Sequence, residues 1–561
     1  MLIVTLACLA LIGVVVARFA RPVTAPLSLE TAEKWLAALV LFLLGLFLGA
    51  WAIFVSKLPL SLTWAVPAAA VTCGLALHRP LRQLWHDAAL RALLGWQLVI
   101  SAWCVGWLAL VATYSGGGWT GDWYEHWERA RFFVEGGPLD TMFIGHAALT
   151  ARPPLANVVT AAGLALTQVA FAPYQFLSTL LASLAFAPAA LLAWRWGGRR
   201  AVPVLALLFM VSPLFVQNAT FAWTKLPAAC FVLAALVFFL RAWDSERPVA
   251  PAALFAASLA AGILTHYSAG IAGLVMAAAW IGRAWTRRAD RAWWQATAAG
   301  VLVGATVLAT WFGWAISAFG SKGTFLANTS VQASAANPDQ QILRIGLNLH
   351  DTLVPHFLRP LDESLITQTN FWGALRDWWF QLYQVNLLFA FGLLGWLVLG
   401  AILLNAARRA APSVRSGWSA AIGASVLLGV GVHGARDTWG LAHICLQPLV
   451  LLGLALLAAR WDSLARRWRI VLVAGAVFDL VFGLALHFAV QNLAFERWAG
   501  PHGFVRWQNH NTEGAVMNMA AKLQHHLQFF GDTAPPPGSI ALALLALLIG
   551  AVWRTTRRHL P

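Results

Sequence analysis

The chain has 561 residues, of which 60% are hydrophobic and 11% charged, with a net charge of +16 and a mean hydropathy of +0.70. A soluble domain carries about 25% charged residues, so this composition excludes one of ordinary size and indicates a membrane protein. The 38 Lys and Arg residues fall in short clusters between apolar runs and build no continuous basic face, which argues against nucleic acid as a partner and makes the charge a record of topology.

Crossing about 30 Å of hydrocarbon takes about 20 helical residues, and runs of that kind recur along the whole chain. They fall near 1–17, 36–56, 60–77 and 94–113, before an amphiphilic loop from Ser115 to Pro154. The first has its charges after the apolar run and no small-residue cleavage site, so it reads as a retained span and not as a signal peptide. Leu155 to Trp194 is an apolar stretch interrupted by Pro173 and Pro188. Further runs lie near 201–216, 226–243, 251–265, 270–284, 295–318, 386–405, 418–432, 444–459, 470–490 and 539–553, with long polar loops at 319–385 and 491–538. The expected fold is an all-α polytopic membrane protein of about 15–16 hydrophobic helices with interfacial helices in the outer loops. Four segments follow: an N-terminal four-span segment 1–113; a catalytic-type module 114–318 opening with the loop 114–154; the loop 319–385; and a C-terminal segment 386–561.

Arginines recur at alternate turns, as at Arg79, Arg82 and Arg91, at Arg195, Arg199 and Arg200, at Arg283, Arg287 and Arg288, and at Arg460, Arg466 and Arg467. Lys and Arg near span ends stay cytoplasmic, so the long loops are expected outside, on the periplasmic side of a bacterial inner membrane. That rule requires an odd number of crossings between the 115–154 loop and the Arg195 turn. A short re-entrant or interfacial helix from Leu155 followed by one true span meets it. The five cysteines all lie in apolar runs without metal-ligand or redox spacing and read as packing residues.

The outer loops gather the ionisable residues. In GDWYEHWERARFFVE a helix would place Asp122, Glu125 and His126 on one face. The aromatics Trp119, Trp123, Tyr124, Trp127, Phe132 and Phe133 would seat that helix at headgroup level. A carboxylate held there suits a general base or a metal-binding carboxylate acting on a lipid-tailed substrate, or a solvated charged face. Arg152 precedes Pro153 and Pro154 where the next apolar segment starts, placed either to fork onto a phosphate or to snorkel. Lys225 opens a span where a cation opposes the helix dipole, and a phosphate partner would account for it. His266 and Tyr267 occupy another outer turn, and His433, Arg436, Asp437 and His443 a third. Asp479, inside an apolar span, must be protonated, paired or lining a polar path. The loop 319–385 holds Asp362, Glu363 and the amphipathic segment FWGALRDWWFQLYQ, read as a helix lying on the membrane, over the site or as an anchor. His510, His525 and His526 read as solvated surface.

Four features together resemble the glycosyltransferase C superfamily of polyprenyl-phosphate-sugar transferases, near bacterial protein O-mannosyltransferases and lipid A aminoarabinose transferases. They are the acidic loop with Gly121-Asp122-Trp123, the step Arg152-Pro153-Pro154-Leu155, the Trp-Thr-Lys turn ending at Lys225, and a later outer loop with an amphipathic helix. The motif-level likeness covers residues 115–270. Two features differ: four spans precede the acidic loop where the family usually has one, and Arg152 replaces the Lys of the aminoarabinose branch. The resemblance implies inverting transfer of a sugar from a polyprenyl-phosphate-sugar donor to a lipid or glycan acceptor, with Asp122 as the base. Arg152 and Lys225 would bind the departing phosphate, and Glu125, His126, His266 and Tyr267 would line the substrate site. Whether a divalent cation takes part is left open by the residues. Two other readings stand beside this one: a transporter or flippase of a lipid-linked glycan with Asp479 on its path, and a ligase or polymerase of diphosphate-linked glycans.

Overall fold

A computed structural model of the chain describes residues 30–76, 87–108, 122–167, 169–328, 341–355, 358, 371–432 and 444–488. The expected spans at 1–17 and 539–553, the loop 491–538, Trp119, Asp362, Glu363, His433, Arg436, Asp437, His443, His510, His525 and His526 lie outside these residues.

The described residues are helical, with one isolated bridge between Phe143 and Ala147. In chain order the helices are α1 (Thr31–Val55), α2 (Ala65–Ala76), α3 (Ala88–Leu108), α4 (Asp122–Glu135), α5 (Leu155–Leu166), α6 (Phe171–Ser183) and α7 (Phe186–Gly197). Next come α8 (Ala201–Val211), α9 (Pro213–Thr220), α10 (Lys225–Asp244), α11 (Val249–Thr265), α12 (Ala269–Thr286) and α13 (Arg291–Phe325). The remainder are α14 (Gln341–Leu353), α15 (Phe371–Gln384), α16 (Leu387–Ala390), α17 (Gly395–Arg409), α18 (Pro412–Val432), α19 (Gln447–Ala459) and α20 (Arg466–Phe478), which runs into a π-helix at Asp479–Leu486.

Among the described residues six helical runs are long and apolar enough to cross a membrane. They are α1, α3, α10, α13, the run Pro173–Gly197 that joins α6 to α7, and Arg466–Leu486, which joins α20 to the π-helix. α8 with α9 forms a further broken pair bent by 66°. The break follows from sequence: Ser212 caps α9 by accepting from the Phe215 N–H at 3.3 Å, and Pro213 sits where a missing N–H costs nothing. The apolar stretch from Leu155 resolves as the charge rule requires. α5 has 12 residues, too short for a crossing, whereas Pro173–Gly197 is one 25-residue span.

α10 separates the end of the bundle that carries Lys225 from the end that carries Asp244. Its 20 residues extend about 30 Å at 1.5 Å per residue, enough to separate two membrane faces. At its C-terminal end Arg195 bonds Asp244, and Arg241 reaches Glu33 at 3.4 Å at the start of α1. At its N-terminal end stands Lys225. The helix is apolar nearly all round and buried along most of its length, as expected for a bundle centre. Close packing next to it uses small residues. A Cβ built on Gly304 of α13 would meet the Ala256 Cβ of α11 at 3.5 Å, and one on Gly300 the Ala252 carbonyl at 3.5 Å. In the similarly spaced pair on α1, Gly49 faces Val66 closely while Gly45 meets nothing within 4 Å. Cys104 and Cys230 are buried free thiols.

Candidate active site

α4 starts at Asp122, and its i, i+3, i+4 and i+7 positions turn Asp122, Glu125, His126 and Arg129 to one side. The expectation of a helix seated by its rings at headgroup level is corrected in detail. Trp127 packs against Phe171 and Tyr174, and Phe133 packs against Trp51 and Phe54, so these rings bury in protein. The reason is that α4 carries a buried ion cluster, and a charge taken out of water needs a closed shell around it.

Glu125 is the centre of that cluster. It is fully buried and accepts from Arg129 Nε at 2.9 Å through Oε1 and from Arg152 Nε and NH2 at 3.2 and 3.0 Å through Oε2. Arg129 spends its remaining donors on the carbonyls of Leu149 and Ala148 at 2.8 and 2.7 Å and lies over the Phe143 ring at 4.4 Å. Burial opposes the Glu125 charge, but the Arg152 and Arg129 guanidiniums outweigh it and hold its carboxyl well below the usual range. A buried charge is retained because it is paired and bonded.

Asp122 stands one turn earlier, at the rim, with its side chain 20% exposed. Oδ1 lies 3.7 Å from Arg152 NH2, and Oδ2 lies 3.9 Å from Lys225 Nζ and accepts from Trp223 Nε1 at 3.1 Å. Burial raises the Asp122 pKa above the ordinary value, and Arg152 and Lys225 offset that only in part. Oδ1 accepts no hydrogen bond from the described residues, so this raised-pKa carboxylate keeps one oxygen available to a ligand. Lys225 Nζ lies 3.5 Å from the Trp223 ring centroid and makes no hydrogen bond to the described residues. Counted as formal charges, two carboxylates, Asp122 and Glu125, face three basic side chains, Arg129, Arg152 and Lys225, an excess of 3 − 2 = 1.

The other predicted residues form a supporting layer. His126 Nδ1 is 3.2 Å from Asn157 Oδ1, and burial with the nearby cations pushes its pKa down to about 3, so it is a neutral imidazole. His266 bonds Ser268 Oγ at 2.8 Å, and burial, then Lys225 and Arg152, keep it neutral as well. Tyr267 does not reach Asp122. It donates to the Thr150 carbonyl at 3.2 Å and accepts from Trp311 at 3.4 Å, which fixes the strand of chain carrying Arg152. Asn328 bonds the next carbonyl, Ala151, at 3.1 Å.

Three residues were missed by sequence reasoning. Arg129 had a signal, its i, i+4 spacing from Glu125. Asn157, a polar side chain in the first turn of an apolar helix, was also legible. The Trp223 bond to Asp122 spans 101 residues and had none. The turn that presents Trp223 passes through Ala222, a buried non-glycine residue at φ 61°. α15 covers this turn from the side, with Phe380 5.9 Å from both Phe221 and Trp223.

Asp479 is remote in role. It accepts from the Tyr383 hydroxyl at 3.0 Å and from the Leu393 N–H at 3.1 Å, so of the three sequence options the paired one holds. Among the described residues no three His, Cys, Asp or Glu side chains converge as a metal site.

No family model matches the chain, and no curated protein does. Among solved structures it is similar to ArnT from Cupriavidus metallidurans bound to undecaprenyl phosphate, with a TM-score of 0.44 and 16% identity over 82% of this chain and 72% of that one. It is also similar to the apo Archaeoglobus fulgidus oligosaccharyltransferase, with a TM-score of 0.41 and 14% identity over 80% of this chain and 60% of that one. The archaeal oligosaccharyltransferase AglB from Archaeoglobus fulgidus, in complex with an inhibitory peptide and a dolichol-phosphate, gives a TM-score of 0.39 and 15% identity over 79% of this chain and 60% of that one.

Proposed function

We propose that this chain is a membrane-embedded inverting glycosyltransferase that moves a sugar from a polyprenyl-monophosphate donor to an acceptor hydroxyl at the outer face. The single observation that carries the reading is the juxtaposition at the bundle end of a raised-pKa carboxylate, Asp122, with two cations that keep donors to spare, Arg152 and Lys225. In the reaction Asp122 takes the proton of the acceptor hydroxyl. The hydroxyl oxygen bonds to the anomeric carbon as the bond from that carbon to the phosphate oxygen breaks on the opposite face, and the electron pair leaves with the phosphate. Arg152 and Lys225 receive that charge, the kind of preorganised stabilisation that lowers a barrier most. The net positive charge favours an anionic donor, and a site at one end of a bundle of apolar helices suits a substrate whose tail stays in lipid. The bacterial inner membrane, with the site periplasmic, is the location this reading carries.

A flippase reading rested on Asp479 lining a polar path, and that carboxylate is buried and bonded to Tyr383 and Leu393. The diphosphate ligase reading differs in the product released. The test is release of free polyprenyl phosphate from polyprenyl-phosphate-hexose donors by membranes holding the wild type or Asp122→Asn, with acceptors supplied. Release by wild type, lost in the variant at equal expression, is expected. Equal release by both would remove Asp122 as the base, and release of a diphosphate from diphosphate donors would favour the ligase.

A further inference from the structure

Beneath the ion cluster lies a small cavity of about 10 Å³, room for one water-sized group, between α5, α6 and the start of α10. Asn157, Thr160, Ser178 and Thr224 line it with an amide and three hydroxyls, and Tyr174 and Trp223 contribute ring walls. Two of these residues belong to the active site from its other side. Trp223 donates to Asp122 and lies under the Lys225 ammonium, while Asn157 bonds His126. The cavity and the candidate site therefore share Trp223 and Asn157 as walls.

One group there is unpaid for. The Thr224 hydroxyl is buried, with the residue 5% exposed, and has no hydrogen-bond partner. A buried polar atom left unpaired is unfavourable; others occur elsewhere in the described residues, and the Thr224 hydroxyl is the one that lines this cavity. By contrast Thr160 donates to its own helix at the Ala156 carbonyl, 2.8 Å away, and presents only acceptor capacity. A hydroxyl entering the cavity can donate to one of these oxygens and accept from another, whereas an apolar or carboxylate group cannot serve both. Thr224 is also held in place independently of any ligand, because it follows the buried left-handed residue Ala222 and precedes the first turn of α10.

We propose that this cavity is a specificity subsite that receives one ring hydroxyl of the sugar in the lipid-phosphate donor, with Thr224 as its principal partner. The proposal rests on the transferase reading, since it places the anomeric carbon beside Asp122 and one hydroxyl of the same ring past Trp223.

The test uses full-length protein in membranes, polyprenyl-phosphate-hexose and its monodeoxy analogues, and the variants Thr224→Val and Ser178→Ala. Threonine to valine keeps shape while removing the hydroxyl. Wild type is expected to lose about 10- to 100-fold in kcat/KM with one monodeoxy donor, because a site built around a hydroxyl rejects the analogue lacking it. Thr224→Val is expected to lose a similar factor on the parent donor and to treat the parent and that analogue alike. Unchanged discrimination in Thr224→Val, or wild type that accepts every deoxy donor equally, overturns the subsite while leaving the transferase standing. Equal loss on all donors together with a lowered Tm in Thr224→Val assigns the cavity to a structural water and also overturns it. Wild type that transfers from no donor overturns the transferase and the subsite together.

Discussion

The Trp223 indole N–H donates to Asp122 Oδ2 at 3.1 Å, while the face of the same ring lies 3.5 Å from the Lys225 ammonium. One side chain thus orients the proposed base and seats a proposed phosphate ligand. Trp223→Phe keeps a ring for Lys225 and removes the donor. The bond to Trp223 favours ionised Asp122, so its loss raises the Asp122 pKa further. The acid limb of the pH–kcat/KM profile is expected to sit above the ordinary aspartate value of 3.8 in wild type and higher still in the variant. An unshifted limb would break the link between this bond and the base.

Arg152 touches both carboxylates through one guanidinium, with Nε and NH2 on Glu125 and NH2 facing Asp122. Arg152→Ala is expected to lower kcat/KM by about 10²-fold or more, the usual scale for one lost charge-stabilising donor. Arg152→Lys restores charge without the planar fork and should recover only part of it. Full recovery in steady-state transfer assays would show that charge alone matters.

Glu125→Gln leaves Arg129 and Arg152 without their shared counter-charge, and breaking a buried pair from one side costs about 3–5 kcal/mol. Thermal unfolding in detergent micelles should show a large drop in Tm. Because the folded Glu125 pKa lies below its ordinary value of 4.5, its contribution is present above pH 4.5 and is lost as pH falls through the folded value. The acid destabilisation of the wild type should accordingly be weaker in Glu125→Gln, a comparison that unfolding at pH 7 and at pH 4 makes directly.

Tyr383→Phe removes one of the donors to Asp479 and leaves a buried carboxyl less satisfied, a change of about 1–3 kcal/mol. Transfer rates at low temperature should stay near wild type, since Asp479 has no contact with Asp122, Arg152 or Lys225. A selective loss of kcat with unchanged Tm would instead tie this pair to the chemistry.

What the sequence revealed follows from the range of each interaction. Apolar run length and the arginine pattern are local, so the helical architecture was legible, whereas the number of crossings between Leu155 and Trp194 stayed open until α5 and the run Pro173–Gly197 were seen. The α4 face was legible for the same reason, because Asp122, Glu125 and His126 recur at helical spacing. The depth of that helix was not, because its surroundings come from elsewhere in the chain: Trp51 of α1 packs on Phe133, and Tyr174 of α6 packs on Trp127. Likewise no spacing announces that Tyr383 will meet Asp479 across 96 residues.

The order in which the ion cluster comes together along the chain has a consequence for biogenesis. Asp122, Glu125, Arg129 and Arg152 lie within one short stretch and their formal charges sum to zero, whereas side chains that pack on and fix this stretch, Tyr174 and Tyr267, come from later in the chain. Lys225 arrives with α10 and brings the one unbalanced charge. The cation excess on which the proposed donor site depends is therefore completed only when the downstream helix docks.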